Sequence, residues 1–178
     1  YSVLFGLDGN DKLTGGVNND YIYGGNGDDI LIADGGNDIL HGESGRDTLK
    51  VLSDNEGYHI LYGGDGDDTL IDEVGSNYLY GDDGNDVLTA NSGIHHLDGG
   101  SGNDILTSGG LINETTRYQS LQLDGGYGDD TLIINGVLSN AYAYLSGGDG
   151  SDTFVINASD LLNNACLLYT SPSPRDMR

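Results

Sequence analysis

A large apolar residue returns along this chain at intervals of nine, and it is nearly always leucine. The positions are Leu13, Ile22, Leu31, Leu40 and Leu49, then Leu61, Leu70, Leu79, Leu88, Leu97 and Leu106, and finally Leu123, Leu132, Leu145 and Phe154. On either side the residues alternate with it in the two-residue period of a strand that buries one face. Runs such as Thr69-Leu70-Ile71 and Val87-Leu88-Thr89 are rich in the β-branched types that strands favour. Between these runs lie glycine- and aspartate-rich hexapeptides that punctuate any regular element. The pattern predicts very short strands, each with one inward side chain, joined by tight turns.

The turns come in two kinds. Eight of them read GLDGND (Gly6 to Asp11), GGNGDD (Gly24 to Asp29), GESGRD (Gly42 to Asp47), GGDGDD (Gly63 to Asp68), GDDGND (Gly81 to Asp86), GGSGND (Gly99 to Asp104), GGYGDD (Gly125 to Asp130) and GGDGSD (Gly147 to Asp152). With the apolar residue two places after the final Asp, this is the G-G-x-G-x-D-x-U-x repeat, whose physical reading is a calcium-binding parallel β-roll. The fold class is therefore all-β, a right-handed parallel roll over residues 1–155. The turns between those eight decay. GGVNND (Gly15 to Asp20) and ADGGND (Ala33 to Asp38) keep the acid, whereas DEVGSN (Asp72 to Asn77) and ANSGIH (Ala90 to His95) have lost it.

The final Asp residues of the eight turns are 18, 18, 21, 18, 18, 26 and 22 apart, and every excess falls in an intervening register, within 51–62, 108–124 and 134–146. If one coil is two nonapeptides, residues 18 apart stack and the two kinds of turn lie on opposite edges of a flattened tube. The regular turns then form one continuous ladder, here called the odd edge. The even edge is expected to keep one calcium-competent pair and otherwise to become loops, which absorb insertions at little cost.

Charge gives the turns their chemistry. The chain carries 29 acidic and 6 basic side chains, a formal net charge of -23, and 31 glycines in 178 residues. Such a chain repels nucleic acid and attracts cations. No apolar run approaches the roughly 18 residues that a membrane-crossing helix needs. Carboxylates stacked about 4.8 Å apart repel by about 1 kcal/mol in bulk water and by several kcal/mol at lower effective dielectric. Calcium between them reverses the sign, so binding and folding are expected to be one event. Calcium wants six to eight oxygens, which carbonyls and carboxylates supply together. Glycine at the first, second and fourth places is expected to provide positive φ and inward carbonyls, and Asp at the sixth place the charge. The turn-backbone candidates are Gly24, Gly25, Gly27, Gly42, Gly45, Gly63, Gly64, Gly66, Gly81, Gly84, Gly99, Gly100, Gly102, Gly125, Gly126, Gly128, Gly147, Gly148 and Gly150.

From Gly6 to Val155 the chain resembles the RTX, or haemolysin-type calcium-binding, repeats of bacterial exported proteins. The resemblance implies ions between successive turns of one edge, bridged by Asp11, Asp29, Asp47, Asp68, Asp86, Asp104, Asp130 and Asp152, with Asp20 and Asp38 opposite. It implies about 5–8 calcium ions in all, export through a type I secretion apparatus, and a secreted or cell-surface location. Toxins, proteases, lipases, polysaccharide epimerases and adhesins carry such repeats beside their own domains.

No HExxH, GxSxG or CxxC motif occurs, so no catalytic residue is assigned and this stretch is not expected to be an enzyme. The histidines (His41, His59, His95, His96) scatter through the even registers, with His95 at a sixth place marking a lost calcium site. Tyr21, Tyr23, Tyr62, Tyr78, Tyr80 and Tyr144 flank even-register strands and face outward. They leave open a polysaccharide-binding face, although cross-strand pairing explains them too, and His41, His96 and Asp98 are expected to interrupt the stripe. Residues 156–165 read as the end of the roll or a linker. Both prolines, the one Cys and the one Met fall in 166–178, which reads as a non-native, adapter-like tail. With one cysteine no internal disulfide forms. Tyr1 is no translation start and the repeat is already running by Gly6, so the sequence is expected to begin inside a longer protein.

Overall fold

The structure, a computed structural model, describes residues 1–52, 57–73, 75–91, 93, 95–109, 112–113, 119–139, 141–162 and 166–170. Among these residues every regular element is a strand, and the strands form two parallel sheets. Sheet A holds β1 (Val3–Asp8), β3 (Tyr21–Asn26), β5 (Ile39–Ser44), β7 (Ile60–Asp65), β9 (Tyr78–Asp83), β11 (His96–Ser101), β14 (Gln119–Tyr127), β16 (Ala141–Ser146) and β18 (Cys166–Thr170), in that order. Sheet B holds β2 (Lys12–Thr14), β4 (Ile30–Ala33), β6 (Thr48–Val51), β8 (Thr69–Asp72), β10 (Val87–Ala90), β12 (Ile105–Ser108) and β15 (Thr131–Ser139). Both β13 (Ile112–Asn113) and β17 (Thr153–Leu162) also pair with β15. The chain crosses from sheet A to sheet B through each odd turn and returns through each even one, which is the expected parallel β-roll.

Register follows the repeat. Leu31 pairs with Leu13 and Leu49, and Leu70 with Leu49 and Leu88, so the 21-residue interval keeps the same column as the 18-residue ones. From Ile22 to Leu97 and on through Leu106, Leu123, Leu132 and Leu145 the inward side chains are fully buried, and Leu13 and Phe154 pack against them at the ends. The core has a second column that the nine-residue count overlooks: Ala33, Val51, Ala90 and Ile134 from sheet B, and Leu121 and Ala143 from sheet A.

Two of the expected even-edge loops are partly strand instead. β14 and β15 are nine residues long, β15 runs to Ser139, and β16 starts at Ala141. Period-two patterning explains it: Leu121 and Leu123, Leu132 and Ile134, and Ala143 and Leu145 are all buried, so the insertions extend strands along the same two faces. Within the expected loops, residues 53–56, 110–111, 114–118 and 140 lie outside the described residues. Past Val155, β17 continues to Leu162 and β18 adds Cys166–Thr170 to β16, with Cys166 half-buried. The rest of the expected tail, 171–178, is outside the described residues.

Candidate metal centre

On the odd edge the backbone itself aims the carboxylates. The N–H of each sixth-place Asp donates to Oδ1 of the sixth-place Asp one coil on: Asp11 to Asp29, Asp29 to Asp47, Asp47 to Asp68, Asp68 to Asp86 and Asp86 to Asp104 at 2.7 Å each. Asp104 to Asp130 follows at 2.8 Å and Asp130 to Asp152 at 3.1 Å. These bonds span 18, 21, 26 and 22 residues alike. The ladder is therefore continuous across every insertion, because the extra chain sits on the other edge.

With Oδ1 held, Oδ2 is left over. In all eight odd-edge residues, Asp11, Asp29, Asp47, Asp68, Asp86, Asp104, Asp130 and Asp152, Oδ2 is buried and has no hydrogen-bond partner. Asp29 through Asp130 are at most 1% exposed as whole residues. Buried polar atoms are normally satisfied, so a row of identical exceptions calls for a partner other than a proton donor. The first-place glycines show where it would sit. A Cβ built on Gly24 would meet Asp29 Oδ2 and the carbonyl oxygen of Gly42 in the next coil. The same two-oxygen cradle recurs at Gly6, Gly42, Gly63, Gly81, Gly99 and Gly125. Two oxygens converging without a hydrogen between them suit a hard cation. A calcium ion would be held by each Oδ2 with the first-place carbonyl of the following coil, and when bound it supplies the positive charge that the ladder lacks.

The glycines are required for reasons that differ by place, which corrects the expectation of positive φ at all three. Second- and fourth-place glycines do have positive φ, 113° at Gly64 and 129° at Gly66. Where a side chain stands at the second place it accepts the same backbone, as Leu7 (82°), Glu43 (77°) and Asp82 (72°) show. First-place glycines have ordinary φ and are needed for space, because any Cβ would fill the oxygen cradle. Gly6 and Gly9, absent from the expected backbone set, belong to the first turn of the same series; GLDGND carried the signal.

Burial, and then the like charge of neighbouring carboxylates, pushes the Asp68 and Asp86 pKa up to about 7. The same causes raise Asp47, Asp104 and Asp130 to about 6. A carboxyl whose folded pKa lies above its unfolded value near 3.8 favours the fold only while protonated. By themselves these groups thus oppose folding progressively as pH rises from about 4 to about 7, and a divalent cation removes that opposition. In the unfolded, calcium-free chain these carboxyls keep their value near 3.8 and are already ionised at pH 6, so calcium-coupled folding is expected to release almost no protons there. Titration calorimetry at pH 6 in two buffers of different ionisation heat checks this, and heats that differ between the buffers would show protonated, folded turns before calcium and contradict it.

The even edge is built differently. Asp20 N–H donates to Asp38 Oδ1 at 2.8 Å, but Asp20 Oδ2 is taken by the N–H of Gly16 in its own turn at 2.6 Å. Asp38 Oδ2 is buried, accepts no hydrogen bond and lies 3.4 Å from His59 Nδ1. The next sixth place is His59, whose Nδ1 lies 3.3 Å from Asp38 N; this histidine is part of the ladder and not scattered.

On the outer face of sheet A, Phe5, Tyr23, His41, Tyr62 and Tyr80 form one stack, with ring centroids 5.1, 5.0, 4.8 and 5.1 Å apart and interplanar angles of 12°, 2°, 6° and 11°. His41 therefore continues the stripe that it was expected to break, its flat imidazole fitting between two tyrosines. Tyr78 lies in the neighbouring column, with His96 tilted against it and Asp98 beyond Tyr80. Ring faces inside the stack cover one another, so edges and hydroxyls are what this surface offers a ligand. Among the described residues no group of three or more His, Cys, Asp or Glu side chains gathers as a metal site. Each odd turn brings one sixth-place carboxylate to the edge, and in Asp11 through Asp130 its Oδ2 lies beside a backbone carbonyl of the next coil.

Two parallel sheets joined by acidic turns, with a row of buried carboxylate and carbonyl oxygens along one edge, define a calcium-binding β-roll. The profile of the RTX calcium-binding nonapeptide repeat matches in four copies, over residues 3–31, 18–49, 62–94 and 96–111, and the chain belongs to that family. The structure continues the ladder past the matched stretch, through Asp130 and Asp152. No curated protein matches the chain.

Proposed function

We propose that this chain is a calcium-gated folding module of a secreted or cell-surface protein. It crosses a type I secretion apparatus unfolded, at the low calcium of the cytosol, and closes into the roll on meeting millimolar calcium outside, supporting folding and export of the polypeptide to which it belongs. The observation that carries this reading is the row of eight buried Oδ2 atoms without hydrogen-bond partners, seven of them, Asp11 through Asp130, beside a carbonyl of the next coil. That arrangement opposes the fold without a cation and favours it with one, as in other metal-coupled folds. Its ligands are Asp11, Asp29, Asp47, Asp68, Asp86, Asp104, Asp130 and Asp152, with Asp38 opposite, for about 5–8 calcium ions.

The test is export of the chain behind a type I signal while external calcium is varied. Protease-resistant product outside the cell is expected to rise steeply between micromolar and millimolar calcium, and to fall severalfold when Asp68 and Asp86 are both alanine. Product that is equally resistant and abundant at all calcium levels would contradict the reading.

A further inference from the structure

Where the odd turns leave a cradle of oxygens, the even turns put side chains. After Gly15, their first places are Ala33, Val51, Asp72, Ala90 and Ser108, aligned in register at the ends of β4, β6, β8, β10 and β12. Their sixth places after Asp38 are His59, Asn77 and His95, all about 1% exposed. The backbone ladder runs on as far as Asn77, with His59 N–H donating to Asn77 Oδ1 at 2.7 Å. In the middle of this edge stands Asp72, a fully buried carboxylate at a place where the odd edge has glycine.

Asp72 Oδ2 accepts the Asn77 side-chain amide at 2.7 Å and lies 3.0 Å from His95 Nδ1. The same Nδ1 lies 3.5 Å from the backbone nitrogen of Asn77, and one ring nitrogen cannot both donate to the carboxylate and accept from the amide. The shorter contact decides, and so does the charge: a buried carboxylate is strongly disfavoured unless it is paired and hydrogen-bonded. The proton therefore sits on Nδ1 and points at Asp72. Nε2, buried beside Gly93, has no partner. Among the described groups packed here, Asp72 is the titratable one that faces His95. His96 turns outward to Gln122 at 2.9 Å, and Glu73 pairs with Lys50 at 2.7 Å on the exposed face. Full burial keeps this His–Asp pair away from any substrate.

We propose that Asp72, Asn77 and His95 form a metal-free cross-link between successive coils. In it an imidazole N–H does for Asp72 what a cation does for the odd-edge carboxylates. The roll is then clamped by two chemistries, calcium on one edge and a buried histidine on the other, with the histidine clamp in the coils most distant from either end of the ladder.

The experiment uses the full chain in saturating calcium, with Asp72→Ala, His95→Ala and the double variant. Each single variant is expected to lower the melting midpoint by about 6–20 °C, the range for breaking one partner of a buried pair. The double variant should melt no lower than the worse single variant, and the number of calcium ions bound should stay that of the wild type. Losses that simply add, or a calcium ion lost from either single variant, would overturn the cross-link. Nitrogen-15 spectroscopy of wild-type His95 needs no variant to fold: a protonated, slowly exchanging Nδ1 is expected, and a bare Nδ1 would overturn the proposal. A chain that binds no calcium at all would defeat the calcium reading while leaving this spectroscopic test in force.

Discussion

Alanine in place of Asp68 or Asp86 is expected to remove one to two bound calcium ions and to lower the calcium-loaded melting midpoint by roughly 10–20 °C. Two losses combine at each position. Oδ2 disappears from the cradle beside Gly81 or Gly99, and Oδ1 no longer accepts the buried N–H of Asp47 or Asp68. An orphaned buried N–H costs about 1–3 kcal/mol, and a calcium site held at a hundredfold excess over its dissociation constant contributes about 2.7 kcal/mol. Stacked coils touch only their neighbours, so a break in mid-ladder uncouples the two halves and broadens the transition. Asn77→Ala, on the other edge, should leave the calcium number unchanged. Calcium titration and calorimetry on the three variants check this, and equal calcium losses from both edges would contradict the two-edge assignment.

Gly66→Ala is the second change with a large expected effect, and Gly16→Ala is its control. Gly66 has φ 129°, and an added Cβ would drive into the backbone carbonyl of Gly45 one coil back. Neither the strained φ nor the collision can be relieved by a side-chain rotation, because both partners are backbone. The turn must open, and with it the cradles on either side; a loss of at least 3 kcal/mol is expected, about 6–12 °C or more in melting midpoint. Gly16 has an ordinary φ, and its Cβ would meet only Asp20 Oδ2 at 3.8 Å, an ordinary contact. Gly16→Ala should therefore melt within about 2 °C of wild type. If the two variants melt alike, glycine in these turns is not answering to backbone geometry.

Much of this was legible because the repeat writes its fold in local terms. Leucine at every ninth place and Asp two places before it gave the inward column and the ladder, and both lie where the spacing put them. Other features depended on which coil lies against which, and on what fills the space between them. First-place glycine is needed for the space taken by Asp Oδ2 and the next coil's carbonyl, which spacing alone does not reveal. His59 reaches the even ladder only once an interval of 21 residues is resolved into one coil plus an insertion. The Asp72–His95 contact joins residues of successive coils that look like separate defects in the repeat. The strand extensions at Leu121, Ile134 and Ala143 did carry a period-two signal, outweighed by the loss of the nine-residue frame. His41 reads as a break among tyrosines by its polarity, but its flat ring decides, and it stacks between Tyr23 and Tyr62.

Far-ultraviolet circular dichroism of residues 1–165, first in chelator and then in millimolar calcium, tests the coupling of metal to fold most directly. Eight buried Oδ2 atoms without donors on one edge predict a coil-like spectrum in chelator. They predict a β-rich one in calcium, with a cooperative transition between them, and magnesium, which gives up its waters reluctantly and demands octahedral geometry, is a poor substitute. A β-rich, cooperatively melting chain in chelator would contradict the account.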